Sequence, residues 1–220
     1  MRAEFHADLL EVNRLLVTMS EAVRAALSKA TTALLAADRE AAEAVIGRDQ
    51  EVDDLYRQIE AKVSDTIARQ APVASDLRTV ITALHISADL ERMGDLAEHV
   101  AKTARRRHPS PAVPAELRPV FWQMADVAGR MAEKITGLLA EPDAAIAAGL
   151  EKDDDAIDDL ERDLFAVLLA EDWPYGAETA IDGALLGRFY ERYADHAVNI
   201  GEHVVYLVTG ELATGEPIGD

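Results

Sequence analysis

The chain of 220 residues carries 41 acidic and only 22 basic side chains, which gives a net charge of −19. Such a protein lacks a basic face that could neutralise phosphates, so we expect no nucleic-acid partner. Cysteine is absent, which excludes disulfides, thiolate metal sites and a cysteine nucleophile. No run approaches the ~20 apolar residues of a membrane span. We therefore expect a cytoplasmic protein that meets a membrane only indirectly, through its partners.

Apolar residues recur at helical spacing along the chain, and glycine and proline fall mostly between the periodic segments. This pattern predicts an all-α protein. Asp38 is the expected N-cap of the second helix, and Asp143 begins the fifth. The segment 108–114 contains three prolines, cannot continue a helix and divides the chain almost in half. The six predicted helices span about 5–36, 39–69, 75–107, 115–140, 143–170 and 178–210.

The two halves of the chain are an internal repeat. Asp38 corresponds to Asp143, and Asp49 corresponds to Asp154, at an offset of 105 positions. The third helix of each half corresponds at an offset of 100. We therefore expect two three-helix bundles related by an internal pseudo-twofold axis. The first covers residues 1–108, the second covers 114–211, and a flexible tail covers 212–220.

A pair of carboxylates four positions apart stands out in the third helix of each half. Glu91 and Asp95 form the first pair, and Glu191 and Asp195 form the second. Residues at this spacing lie on one helix face, where like charges repel by roughly 0.2–0.5 kcal/mol per exposed pair. Each pair lies opposite the predicted core face and continues a second apolar stripe. The carboxylates should therefore face a neighbouring helix or a groove, where a multivalent cation would offset their repulsion.

The second helix of each half repeats the same spacing. Asp49 and Asp53 lie four apart in the first half, and Asp154 and Asp158 take the equivalent places in the second. Four carboxylate pairs thus stand at equivalent positions, two in each half. Carboxylate oxygens suit Mg, Ca, Mn and iron, whereas Zn normally requires His or Cys as well.

Arginines and histidines near these pairs bear on whether the pairs form a metal site. Arg92 and Arg192 could neutralise the acids in salt bridges between helices, although each arginine adjoins its glutamate and should not neutralise both acids of a pair. His99, one turn beyond Asp95, could extend the row of ligands, but Asn199 takes the matching place in the second half. We therefore favour structural roles for the histidines.

The motifs of several enzyme classes are missing from the sequence. There is no Glu-x-x-His of the di-iron bundles, no glycine-rich phosphate loop, no His-Glu-x-x-His and no nucleophile elbow. A metal-dependent hydrolase or oxidase that uses the same carboxylates is the remaining enzymatic alternative. Such an enzyme would need a shielded cavity with an open coordination position, whereas shallow clusters would favour an adaptor.

The sequence resembles the PhoU family of bacterial regulators of phosphate uptake. The resemblance covers nearly the whole chain and rests on Ala71-Pro72-Val73-Ala74-Ser75-Asp76-Leu77-Arg78, on residues 89–95 and 191–200, and on the closing segment 204–211. The family has Ile-Gly in the second motif where this chain has Tyr193-Ala194, outside the carboxylates. The resemblance implies two symmetry-related three-helix bundles with metal clusters at the motif pairs. The implied ligands are Asp49, Asp53, Glu91, Asp95, Asp154, Asp158, Glu191 and Asp195.

The resemblance also implies a function. PhoU-like proteins restrain phosphate import and signalling when phosphate is plentiful, and they link a phosphate-specific ABC transporter, through its ATPase, to a phosphate-sensing histidine kinase. This chain is then expected to be an adaptor and not an enzyme. We expect it to form a homodimer and to bind divalent or ferric ions, with Fe, Mn, Mg and Zn as the candidates.

Overall fold

The computed structural model of the chain describes residues 2–210, and the predicted tail at 212–220 lies outside them. The described residues form helices and one short 3₁₀ turn (Ala115–Leu117), with no strand among them. The all-α prediction is therefore confirmed. The helices are α1 (Arg2–Ala36), α2 (Arg39–Gln70), α3 (Ser75–Arg107), α4 (Arg118–Ala140), α5 (Ala144–Ala148), α6 (Leu150–Leu168) and α7 (Gly176–Thr209).

The helices group into two three-helix bundles, as predicted. Helices α1, α2 and α3 pack on one another, and α4, α7 and the α5–α6 segment form the second group. The two groups meet where α3 packs against α7 and α1 packs against α4. One hydrophobic core runs through both groups and includes the fully buried side chains of Met19, Phe121, Met124 and Tyr190.

Aspartate caps begin the second helix of each half. The Asp38 side chain accepts a hydrogen bond from the Ala41 backbone N–H at 3.0 Å. Asp143 accepts hydrogen bonds from the N–H groups of Ala145 and Ile146, at 2.8 and 3.0 Å. The predicted cap at Asp38 is confirmed, and Asp143, which was predicted to begin its helix, caps it in the same way. Each satisfies N–H groups that a helix start leaves without an intrahelical acceptor.

The predicted single helix over 143–170 is wrong, because the chain breaks at Gly149 into α5 and α6. The Gly149 N–H bonds to the Ile146 carbonyl at 3.1 Å, a tighter turn than the α-helical pattern. The break lies beside Gly201 of α7. A Cβ on Gly201 would lie 2.8 Å from Leu150 Cδ1 and 3.0 Å from the Ala147 carbonyl oxygen. Tertiary packing against α7 therefore accompanies the break that the helical periodicity did not reveal.

Within residues 2–210, no helix combines the length and the apolar character needed to cross a membrane.

Candidate metal centre

The first group of predicted ligands lies where α2 packs against α3. Asp49 and Asp53 come from α2, and Glu91 and Asp95 come from α3. These side chains are close enough to act on one another's ionisation, since Asp53 and Asp95 each raise the pKa of Asp49 and Asp53 raises that of Glu91. The structure thus brings the two predicted pairs of the first half together, and we call them the first cluster.

The second group lies at the equivalent packing of α6 against α7. Asp154 and Asp158 come from α6, and Glu191 and Asp195 come from α7. Helices α6 and α7 pack on each other, and Asp195 and Asp158 both raise the pKa of Asp154, so the carboxylates of the two helices act on one another here as well. We call these four residues the second cluster. Glu191 is the most buried member, with only 7% of its surface exposed.

Glycines on the third helices bring the helix pairs close together. A Cβ on Gly94 of α3 would lie 3.1 Å from Val52 Cγ1 of α2. A Cβ on Gly187 of α7 would lie 2.8 Å from Leu164 Cδ2 of α6. Side chains at these positions would push the helices apart, so the glycines hold the carboxylate rows of neighbouring helices within reach of each other.

Burial and mutual repulsion make the carboxylates of the first cluster hard to ionise. Burial raises the pKa of Asp49 to about 6, and the charges of Glu98, Asp53 and Asp95 add to the effect. Burial also raises the pKa of Glu91, as does Asp95, while the guanidinium of Arg92 acts in the opposite direction. Burial is the main cause of these shifts, and the neighbouring carboxylates add to it more than the nearby cations oppose it.

The second cluster shows the same effect more strongly. Burial raises the pKa of Glu191 to about 7; Asp195 adds to the rise, and Arg188 opposes it. The pKa of Asp154 rises to about 6, again through burial first and through Asp195 and Asp158 next. A multivalent cation is a natural counter-charge for such a group.

Three buried carboxylate oxygens at the second cluster have no hydrogen-bond partner among the described residues. They are Oδ1 of Asp154, Oε1 of Glu161 and Oε2 of Glu191. Within the described residues, the first cluster has no buried carboxylate oxygen that lacks a hydrogen-bond partner. A buried polar atom without a partner is costly, so its presence calls for an explanation such as an ion.

Cationic side chains differ between the clusters, and one expectation about them is wrong. Arg92 contacts both acids of its pair, with its guanidinium 2.8 Å from Asp95 and 3.4 Å from Glu91. The arginine side chain extends forward along its own helix to Asp95, so adjacency to Glu91 does not prevent a contact one turn away. At the second cluster, Arg192 forms no ion pair within the described range, and Arg188 pairs with Glu191 from the preceding turn.

Two glutamates extend the clusters, and the sequence analysis missed both. Glu98 follows Asp95 by three positions on α3, and Glu161 follows Asp158 by three on α6. Each lies on the face of its cluster and raises the pKa of a member, Asp49 and Glu191 respectively. The spacing of three could have identified them. Comparison of the halves hid them, because Val198 and Tyr56 take the equivalent positions.

His99 does not extend the ligand row. Its ring stacks on Phe189 of α7, with the ring centroids 5.3 Å apart. This contact fits the structural role that the sequence favoured for this histidine.

The donor set fits a hard metal ion, but a formed ligand cage is absent from the described residues. Within residues 2–210, no group of three or more Asp, Glu or His side chains is placed to hold a metal. Oxygen donors in excess of positive charge, three of them without partners, are nevertheless what Mg, Mn or iron require. Side-chain rotation would have to bring them onto one ion, and metal binding remains a prediction.

Comparison with known proteins agrees with this architecture. The PhoU domain family matches residues 16–104 and 121–204. "Phosphate-specific transport system accessory protein PhoU homolog 2" of Mycobacterium tuberculosis is 42% identical over 210 residues, covering 96% of this chain and 99% of that protein. Homolog 1 of the same species is 42% identical over 218 residues and covers 99% of both chains.

Solved structures show the same fold. The crystal structure of the phosphate transport system regulatory protein PhoU from Streptococcus pneumoniae superposes with a TM-score of 0.86 at 28% identity, covering 95% of this chain and 99% of that one. PhoU from Pseudomonas aeruginosa gives 0.85 at 29% identity, over 94% and 100% of the chains. The full-length sequence matches and the repeated bundles together establish that the chain belongs to the PhoU family.

Proposed function

We propose that this PhoU-family protein is a metal-binding adaptor that restrains phosphate uptake and phosphate-regulon signalling. In this role it links a phosphate-specific ABC transporter, through the transporter's ATPase, to a phosphate-sensing histidine kinase. The observation that carries the proposal is the match over 99% of both chains to a protein named as an accessory of the phosphate-specific transport system. We place the role in the cytoplasm and expect a homodimer as part of the same proposal.

Metal ions are proposed to act through the two carboxylate clusters. A bound multivalent cation would reverse the local charge of an acidic surface, and so change which protein surfaces dock there. Asp49, Asp53, Glu91 and Asp95 would hold metal in the first half, and Asp154, Asp158, Glu191 and Asp195 in the second. The expected ions remain Fe, Mn, Mg or Zn, with the oxygen-rich donor set favouring the first three.

The two clusters are proposed to bind metal unequally. The first already has cations of its own, since Arg92 contacts two of its acids and Arg57 lies 3.7 Å from Asp53. At the second cluster, Arg188 is the one described cation that pairs with a member. Each cluster has an adjoining glutamate, but Glu98 pairs with Lys102, whereas Glu161 forms no ion pair within residues 2–210. Three oxygens at the second cluster also lack partners. The second cluster should therefore bind the ion more tightly.

An enzyme that uses these carboxylates is the less well supported alternative. The cavity beside the first cluster, lined by Asp49, Val52, Gly94 and Glu98 among others, has a volume of about 90 Å³. Small-molecule sites usually enclose roughly 300–1,000 Å³. Space for a few water molecules suits an ion and its hydration better than an organic substrate, which supports the adaptor.

The test is a binding assay between the purified protein and each proposed partner. The transporter ATPase and the cytoplasmic part of the kinase are immobilised, and affinity is measured with added Mn²⁺ and with chelator. Wild type should bind both, and its affinity should change with metal.

A variant with Glu91, Asp95, Glu191 and Asp195 replaced by Ala serves as the comparison in this assay. It should lose the metal response while circular dichroism shows folded helices. Failure of the wild type to bind either partner would remove the adaptor role. Binding that ignores both metal and the substitutions would leave the adaptor role and reject its control by metal.

A further inference from the structure

A groove separate from both carboxylate clusters opens where the start of α3 crosses the end of α7. Its volume is about 500 Å³. The α3 side of the groove carries Leu77 and Ile81, which are 37% and 39% exposed, together with Arg78 and His85. The α7 side contributes His203 and Tyr206. Apolar and cationic side chains that line the same groove suit an amphipathic anion.

Arg78 is held in this groove by its neighbours. Its guanidinium carbon lies 5.4 Å above the ring centroid of Tyr206, a cation–π arrangement. On another side it packs against Gly210, where a Cβ would lie 2.6 Å from an Arg78 nitrogen. A guanidinium that rests its face on a ring keeps the N–H groups of its edge available for a planar or tetrahedral oxyanion.

Arg78 has no acidic partner in the described structure, although acidic residues outnumber basic ones in the chain by 41 to 22. Five lysines and arginines within residues 2–210 have partly buried side chains. Lys62, Lys102, Arg107 and Lys134 each form an ion pair with a carboxylate, and Arg78 alone forms none. A partly buried charge without a counter-ion is unfavourable. An anion that binds to Arg78 from solution would therefore stabilise this site.

Two histidines also line the groove. His85 and His203 stack with their ring centroids 5.3 Å apart. His203 lies 3.5 Å from Asp89, whose other oxygen is 2.9 Å from His196. The Asp89 carboxylate is thus shared between two imidazoles.

The pseudo-symmetric end of the same helix crossing provides an internal comparison. At the offset of 100, Arg78 and Tyr206 correspond to Glu178 and Arg106, and Thr82 corresponds to Asp182. There Arg106 lies 2.5 Å from Asp182, and Arg107 pairs with both Asp182 and Glu178. At one end of the crossing, Asp182 and Glu178 neutralise the arginines. At the groove end, Arg78 has no such acid beside it within the described residues.

We propose that this groove is a binding site for a small organic oxyanion, a phosphate ester, whose charged group pairs with Arg78 and whose apolar part lies on Leu77 and Ile81. In the comparison of the two ends, the oxyanion takes the place of the Asp182 carboxylate, because Thr82 stands at the equivalent position of the groove. Binding here uses none of the proposed metal ligands, so it is independent of metal loading.

Phenyl phosphate is a suitable probe, because it joins a phosphate to a flat apolar ring. Its binding to protein stripped of metal by chelator and dialysis is measured by calorimetry, beside phenol and inorganic phosphate. Phenyl phosphate should bind more tightly than either fragment. Arg78→Gln should weaken binding about tenfold or more, since it removes a charge-assisted hydrogen-bond donor. Arg105→Gln, at an exposed position of the same helix, should leave it unchanged.

Arg78→Lys keeps the charge and guards against loss of folding in the Gln variant. Lysine lacks the two-pronged donor set, so this variant should also bind more weakly than wild type, by a smaller factor. Thermal melts establish that each variant is folded. No saturable binding by wild type, equal affinity for phenol and phenyl phosphate, or full affinity in both Arg78 variants would overturn the proposal.

Discussion

The hydroxyl of Tyr190 lies 2.6 Å from Oγ1 of Thr31, and this buried hydrogen bond joins α7 to α1 across the two bundles. Thr31 donates its own hydrogen to the Leu27 carbonyl at 2.9 Å, so Tyr190 is the donor. Tyr190→Phe should lower the free energy of unfolding by about 0.5–1.5 kcal/mol. Urea denaturation measures the change.

Tyr193 is the matched control for that substitution. It is as deeply buried as Tyr190 and lies one turn further along α7, but its hydroxyl has no hydrogen-bond partner among the described residues. Tyr193→Phe removes a buried polar atom that contributes no bond, so the stability should stay the same or rise. A loss as large as that of Tyr190→Phe would contradict this assignment.

The pKa of Glu191 predicts a pH dependence for the metal-free protein. Folding raises this pKa from 4.5 to about 7, so the folded state holds a proton that the unfolded state has released. Stability should therefore fall as the pH rises from about 5 to about 8, by on the order of 2 kcal/mol from this group. Glu191→Gln keeps the neutral form at every pH, and it should flatten the slope and stabilise the protein at pH 8.

Glu202→Gln serves as the control, because Glu202 is an exposed residue of the same helix. It should reproduce the pH slope of wild type. If thermal melts in chelator show one common slope for wild type and Glu191→Gln, then Glu191 does not carry a shifted pKa in the folded protein.

Unequal metal sites should appear in a calorimetric titration with Mn²⁺. Wild type should show a tighter and a weaker site, separated by about tenfold, since nearby cations weaken the first cluster. Asp154→Asn with Glu161→Gln should remove the tight site, and Asp49→Asn should affect the weak one. Loss of the weak site in the first variant, or equal sites in wild type, would contradict the assignment.

Alanine should destabilise the protein at Gly201, where the helices are closely packed, and stabilise it at Gly129, where they are not. Gly201→Ala places a Cβ 3.0 Å from a backbone oxygen of α5, which cannot move as a side chain can. We expect a loss of about 1–3 kcal/mol. Gly129 has nothing within 4 Å of a Cβ, so Gly129→Ala should stabilise α4 by up to about 1 kcal/mol. Thermal unfolding of both variants compares them directly.

Local patterns were sufficient to predict most of the helices and the aspartates at which two of them begin. Asp38 and Asp143 act through bonds to residues two or three positions away, so their roles can be read from the sequence. The bundles follow from apolar spacing and from the repeat. The break at Gly149 escaped prediction because it coincides with the approach of α7, which is more than fifty positions away in the chain.

The candidate site was predicted less completely than the fold. Equivalence between the halves identified the four carboxylate pairs, but the same criterion discarded Glu98 and Glu161, which have no counterparts. Arg92 was also misjudged, because a long flexible side chain can reach an acid one turn away as well as its neighbour. The rotamer of a side chain depends on its neighbours in the folded protein, so spacing along the sequence does not predict which acid an arginine contacts.

The unequal ends of the α3–α7 crossing give the molecule a polarity. A body with true twofold symmetry presents the same surface twice and cannot distinguish its two ends. Here one end is closed by Arg106, Arg107, Glu178 and Asp182, and the other exposes Arg78 in an open groove. Although the chain is an internal repeat, the two ends of its central helix crossing therefore differ in charge and shape. Each end can contact a different neighbouring protein, so two unlike neighbours would bind in a fixed arrangement.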